Sequence, residues 1–437
     1  SVSDGSAAVA DFTLGPVNPG RTSIYSTSNN LKVGSYSLGA TLVSNSSPDF
    51  SNNIHIIGSY DVAPKSLTVT AGGLTKVYDG NATLSNLTLT PVGKVSAADG
   101  VTVNGAGIYA DKNVTASANK SYTLSNLTLS GDDAANYVLT NGITSAAIST
   151  QSGSTGQITP RTLTVYYTGV DRVYDGGTVA TVTTTDDRVT GDSVSIARTA
   201  AFGDKNVAYD VSNNVTSKTV SVTGVSLSGT DAANYSVVNT GTTTAQITPK
   251  LLTVSYTGVN KVYDGNTVAT VTTTDDRLSG DVFDINRTAS YADKNVGGAK
   301  TLSVSSVSLS NPWGVSSTDA TNYTVAATGS TTANITTRVL NVYYTGVNRV
   351  YDGGTVATVT TTDDRVSGDV FDINRTASYA DKNVGLSKAV SVSSVSLSDP
   401  TGVSSIDAAN YTVVATGNTT ATITPRALTI DFTGVNK

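Results

Sequence analysis

Leu251-Leu252-Thr253-Val254-Ser255-Tyr256-Thr257-Gly258-Val259-Asn260-Lys261-Val262-Tyr263-Asp264-Gly265 is an alternating stretch that runs into a glycine turn. Leu252, Val254 and Tyr256 share one face at the period of a half-buried strand. Asp264 can accept hydrogen bonds from turn amides, and Gly265 supplies a positive φ that other residues resist. The same turn returns as Tyr78-Asp79-Gly80, Tyr174-Asp175-Gly176 and Tyr351-Asp352-Gly353, so the four copies are spaced by 96, 89 and 88 residues. That period is one small domain long, and the chain reads as a tandem array.

Three further landmarks keep their order in every unit. Asp-Lys-Asn-Val begins at Asp111, Asp204, Asp293 and Asp381, and Asp-Ala-(Ala/Thr)-Asn-Tyr ends at Tyr137, Tyr235, Tyr323 and Tyr411. Ile-Thr closes each unit at Ile158, Ile247, Ile335 and Ile423, followed by Pro in three copies and by Thr337 in one. The expected modules are 65–160, 161–249, 250–337 and 338–425, with 1–64 the later part of a related module and 426–437 the first strand of a truncated fifth. No Gly/Ser tract separates them, and the junction Pro restricts the backbone, so little bending is expected. Modules of roughly 30–40 Å then predict an elongated rod of roughly 120–160 Å.

Within a module, Val268–Thr272, Phe283–Ala289, Leu302–Leu309 and Tyr323–Ala327 also alternate, the third with a break in phase. Five to seven short strands in about 90 residues suit an all-β sandwich of immunoglobulin type or a β-grasp-like module, and both stay open. Asp319 and Asp407 are expected to cap a single helical turn. The Tyr that follows each turn is expected to bury its ring and bond its hydroxyl to nearby backbone, as a corner residue does.

Composition narrows the function classes. All 33 acidic residues are Asp, because Glu is absent, and few straight-chain residues remain to coat exposed helices. The net charge of -6 and the lack of any basic run argue against nucleic-acid and anionic-membrane partners. There is no Cys, and no apolar stretch of the ~20 residues that would span a bilayer as a helix.

The single His, His55, leaves no Ser-His or two-His arrangement, and the expected answer is no enzyme. Adjacent carboxylates at Asp186/Asp187, Asp275/Asp276 and Asp363/Asp364 precede an Arg in a turn and are the only candidates for a cofactor, calcium, although no D-x-D-x-D-G loop is present. Lys112, Lys205, Lys294 and Lys382 of Asp-Lys-Asn-Val read as solvated loop lysines. Asn-x-Ser/Thr sequons recur, at Asn81 and Asn286 among others, as glycosylation candidates. Trp313, in the lengthened loop Asn311-Pro312-Trp313-Gly314, is a candidate ligand contact, with packing on the neighbouring module the expected use.

Lys261-Val262-Tyr263-Asp264-Gly265, Tyr291-Ala292-Asp293-Lys294-Asn295-Val296-Gly297, Asp407-Ala408-Ala409-Asn410-Tyr411 and Ile423-Thr424-Pro425-Arg426 together resemble the YDG domain, over residues 65–425. Residues 1–64 resemble the tail of an MBG-type module. The resemblance implies a filamentous-haemagglutinin-like bacterial adhesin of the two-partner secretion type, on the cell surface or in the extracellular matrix, and no catalytic residue. The expected function is a non-catalytic stalk or fibre segment whose partners are the other modules of the chain. The alternative is a module that binds extracellular polysaccharide or another copy of itself through loops or open sheet edges.

Overall fold

A computed structural model describes residues 2–3, 8–17, 23–45 and 56–435. Among them, helix is confined to four 3-10 turns, Ala134–Asn136, Ala232–Asn234, Asp319–Asn322 and Asp407–Asn410, and the fold is all-β with a repeated unit.

The third module shows how the sequence builds it. Its opening line breaks into Lys250–Leu252, Val254–Val259 and Lys261–Val262. The first piece runs parallel to Tyr323–Val325, the second antiparallel to Thr270–Asp275, and the third parallel to Gly329–Thr336. The breaks are held by side chains: Thr253 N–H donates to Asp276 at 2.8 Å, and Asn260 accepts from Asn334 N–H at 2.8 Å. The line thus passes through two two-stranded sheets and joins a third, four-stranded one of order Lys261–Val262, Gly329–Thr336, Gly297–Ser310, Asp284–Tyr291. Counting the pieces gives eight strands where fewer were expected, because one alternating run became three.

Inward positions of these sheets and of the loop before Asp284–Tyr291 form the core: Leu252, Val271, Phe283, Ile285, Tyr291, Leu302, Val304, Val307 and Ile335 are all buried. Each fully buried aliphatic side chain of this kind contributes about 1.5–3 kcal/mol. The phase break in Gly297–Ser310 is a bulge: Asn286 pairs with Ser308 and Thr288 with Ser305, so two residues oppose one, and Ser306 takes φ 52°. Asn126, Gly224 and Ser394 repeat that positive φ in the other modules.

The fourth module reproduces this register, with Arg338–Leu340 parallel to Tyr411–Val413 and Arg349–Val350 parallel to Gly417–Thr424. In the first module Lys65–Gly72 stays unbroken, pairing with both Tyr137–Leu139 and Thr88–Val92. It lacks the Thr-Thr-Thr-Asp-Asp-Arg segment, and with it the Asp that holds the break.

Internal packing divides the chain into Ser1–Gly169, Ala180–Ala201 and Thr219–Thr243 as one unit, and Val170–Val179, Phe202–Lys218 and Thr244–Lys437 as the other. The division runs inside residues 161–249, so Tyr235 belongs to the unit of the first module and Tyr174 to that of the third.

Two local expectations are corrected. The helical turns have no side-chain cap. Their Asp carboxylates instead accept from Gly100, Ser193, Val282 and Val370 N–H, on a loop well upstream. Residues 426–435 form no strand. The equivalent strand Lys250–Leu252 exists by pairing with a partner 73 residues further on, and 426–435 have none in this chain.

Candidate functional site: a clasp between consecutive modules

The turn of Tyr-Asp-Gly is built as its residues dictate. Gly80, Gly176, Gly265 and Gly353 take φ of 84°, 79°, 80° and 86°. Asp79, Asp175, Asp264 and Asp352 each accept the amide two residues on, and each pairs with the Lys or Arg three residues before. The Tyr has a different task. Tyr78, Tyr174 and Tyr263 are at most 2% exposed, and their hydroxyls donate to Asp192, Asp281 and Asp369 of the following module at 2.8, 3.0 and 3.0 Å. Tyr351 is only half-buried.

Each receiving Asp has a side chain at most 3% exposed. It accepts a second phenol from its own module, Tyr235, Tyr323 or Tyr411, at 2.6, 2.7 and 2.6 Å. The two tyrosine rings meet edge to face with centroids 5.4–5.5 Å apart. The expected corner Tyr is therefore corrected. Its hydroxyl does take backbone, Val189, Leu278 or Val366 N–H at 2.8–2.9 Å, but from a loop about 45 residues upstream, and it donates to the junction carboxylate.

The reading of Asp-Lys-Asn-Val as a solvated loop fails for three of its four copies. Lys112, Lys205 and Lys294 reach the following module, with Nζ 2.8, 2.8 and 2.6 Å from Asp192, Asp281 and Asp369. The same ammonium lies 3.2, 3.2 and 3.0 Å from a second carboxylate, Asp231, Asp319 or Asp407. A buried carboxylate costs several kcal/mol unless it is paired, and the pairing comes from the neighbour. Val114, Val207 and Val296 N–H donate to Asn234, Asn322 and Asn410 Oδ1 at 2.9, 2.8 and 2.8 Å. Those Asn return Nδ2 to Asn113, Asn206 and Asn295.

Glycine serves twice here. A Cβ on Gly265 would stand 2.5 Å from Val366 Cγ1 of the next module, and one on Gly80 would stand 2.6 Å from Val189 Cγ1. Gly176 faces Leu278 more loosely, at 3.3 Å. Leu278 and Val366 are the sole difference between residues 267–296 and 355–384, and that difference falls on the junction.

The electrostatics follow the geometry. Burial pushes the Asp192 carboxyl up, but Lys112, Tyr235 and Tyr78 outweigh it and hold it below the ordinary carboxylate value. Asp192 and Asp281 hold the Lys112 and Lys205 ammonium groups well above their usual range. Burial first, then the Asp192 carboxylate, pushes Tyr235 up to about 12.

The other candidates fall elsewhere. Asp186, Asp275 and Asp363 are each clamped by the Arg two residues on, while Asp187, Asp276 and Asp364 accept Thr164, Thr253 and Asn341 N–H. Adjacent carboxylates thus diverge, and among the described residues no three His, Cys, Asp or Glu gather as a metal site would require. Trp313 is fully exposed, so its expected packing on a neighbouring module is corrected; its loop projects it to solvent. His55 lies outside the described residues.

Asp99, Asp192, Asp281 and Asp369 were missed by sequence reasoning. A signal existed: in three units an Asp follows Gly five residues after Asp187, Asp276 or Asp364, an acid repeated at one fixed place.

Fold and site together define a tandem-repeat all-β chain in which each module carries a donor end and an acceptor end. A family model described as the YDG domain matches residues 63–146, 159–245, 248–333 and 336–422, and the chain belongs to that family. No curated protein matches it.

Proposed function

We propose that this chain is a non-catalytic stalk or fibre segment of a large secreted bacterial surface adhesin of the filamentous-haemagglutinin-like, two-partner secretion type, preceded by an MBG-like module. Its modules space a distal adhesive region from the cell or build an extracellular filament. The observation that supports this is the clasp, made three times from the same residues: Tyr, Lys and Val donate from one module, and Asp, Asp and Asn accept on the next. Hydrogen bonds of three kinds at fixed angles resist bending more than an apolar contact does. Small-angle scattering tests it on the whole chain. The wild type should give the pair-distance distribution of a long, narrow particle, and Asp192→Ala with Asp281→Ala and Asp369→Ala should shorten and broaden it. A compact wild-type particle, or a variant that scatters identically, contradicts the proposal.

Fully exposed Trp313 supports a second reading, contact with extracellular polysaccharide. A glycan array on the chain checks it: saturable binding abolished by Trp313→Ala favours a binding module, and no binding favours the spacer.

A further inference from the structure

The first module carries the same acceptor end as the others, but what covers it differs. Tyr137 donates to Asp99 and accepts Val95 N–H, and Asp133 accepts Gly100 N–H, as their counterparts do in the later modules. The covering segment is residues 26–33, and Val33 N–H donates to Asn136 Oδ1 at 3.0 Å, in the manner of Val114, Val207 and Val296. Where those modules insert a Lys and a Tyr, this segment offers hydroxyls: Ser26 and Ser28 donate to Asp99, and Thr27 to Asp133.

Two consequences follow. Asp99 and Asp133 are 3% and 1% exposed, and no ion pair to either is made among the described residues. The Lys94 ammonium is spent on the backbone carbonyls of Ala97 and Asp99, and Lys65, at the rim of the same module, makes no ion pair with either carboxylate. Neutral hydroxyls satisfy hydrogen-bonding capacity and, among the described residues, leave two buried carboxylates without an ion-pair partner. The ring is missing too. Against Asp99 and Tyr137, the two groups that a preceding Tyr touches elsewhere, lies a cavity of about 480 Å³, walled also by Leu31, Val33, Val62 and Pro64, with Lys65 at its edge. At the other junctions an ammonium sits 5.7–5.8 Å from the centroid of the ring that fills this place.

We propose that this cavity is a binding site for a primary ammonium carried on an apolar, ring-sized body, an aralkylamine, whose charge takes the place of the missing lysine and whose ring takes that of the missing tyrosine. Asp99, the carboxylate that lines the cavity, selects the cation; the Leu, Val and Pro walls select the body. A bare divalent ion would leave the apolar walls unused. The inference rests on the clasp and is independent of the stalk proposal.

Titration calorimetry of the 437-residue chain with phenethylamine tests it. The expected result is one saturable site per chain, weakened about tenfold or more by Asp99→Asn, a factor worth about 1.4 kcal/mol. Asp281→Asn should leave it unchanged. Ser28→Lys supplies the lysine in the chain itself and should remove amine binding while raising the melting temperature. Absence of saturable heat with the wild type, binding that survives both Asp99→Asn and Ser28→Lys, or calcium chloride saturating the site where phenethylamine does not, would each overturn it. A loss of fold in Asp99→Asn leaves the Ser28→Lys arm decisive.

Discussion

At the scale of single residues, the same motif occurs with and without a bonded junction carboxylate among the described residues, which separates local from junction roles. Tyr263→Phe removes a phenol from a buried carboxylate and should lower stability by about 1.5–3 kcal/mol in urea unfolding, the range for hydrogen bonds to charged groups. Tyr351→Phe, where no such carboxylate is bonded among the described residues, should change it by less than about 0.5 kcal/mol. Gly265→Ala and Gly353→Ala meet similar positive φ, but only the first puts a Cβ against a neighbour's valine. It should therefore cost about 1–3 kcal/mol more, the usual penalty of overpacking. Equal losses would assign Gly265 to its turn alone.

The junction carboxylates also set a pH window. Asp192, Asp231, Asp319 and Asp407 are all held below the ordinary Asp value when folded, so their contribution is fully present above about pH 4 and is lost as pH falls through the folded values. Tyr235 is raised, so its contribution is present below about pH 10 and lost as pH rises toward about 12. Thermal melts across pH should show a plateau between these edges, and the acid edge should flatten in Asp192→Asn.

At the scale of elements, much was legible because strands announce themselves by period and turns by Gly and Asp. The phase break in Leu302–Leu309 was visible in the sequence, and it is the bulge at Ser306. Module two already places Gly224 there, so Ser306→Gly should raise stability by about 0.5–1 kcal/mol, relieving a left-handed conformation at an exposed site. A loss would mean that Ser306 has a role beyond its backbone. The break of the opening strand at Thr253 was not legible, because its cause, Asp276, lies in a different hairpin. The lysines were misread for the same reason: nothing near Lys205 in sequence shows that Asp281 is 76 residues away. Periodicity records which face is buried, not which neighbour buries it.

At the scale of the whole molecule, each end of residues 161–249 packs with a different neighbour, and the clasp is the physical reason. An array so fastened stabilises each module through the next, as nearest-neighbour coupling does in repeat proteins. Backbone amide exchange reads that coupling most directly. Val114, Val207 and Val296 each give their N–H to the following module's Asn, whereas Val384 occupies the same motif position without such a bond among the described residues. Slow exchange at the first three and exchange at least about a hundredfold faster at Val384, corresponding to about 2.7 kcal/mol of junction protection, is the expected result. Four amides exchanging at one common rate would contradict the clasp.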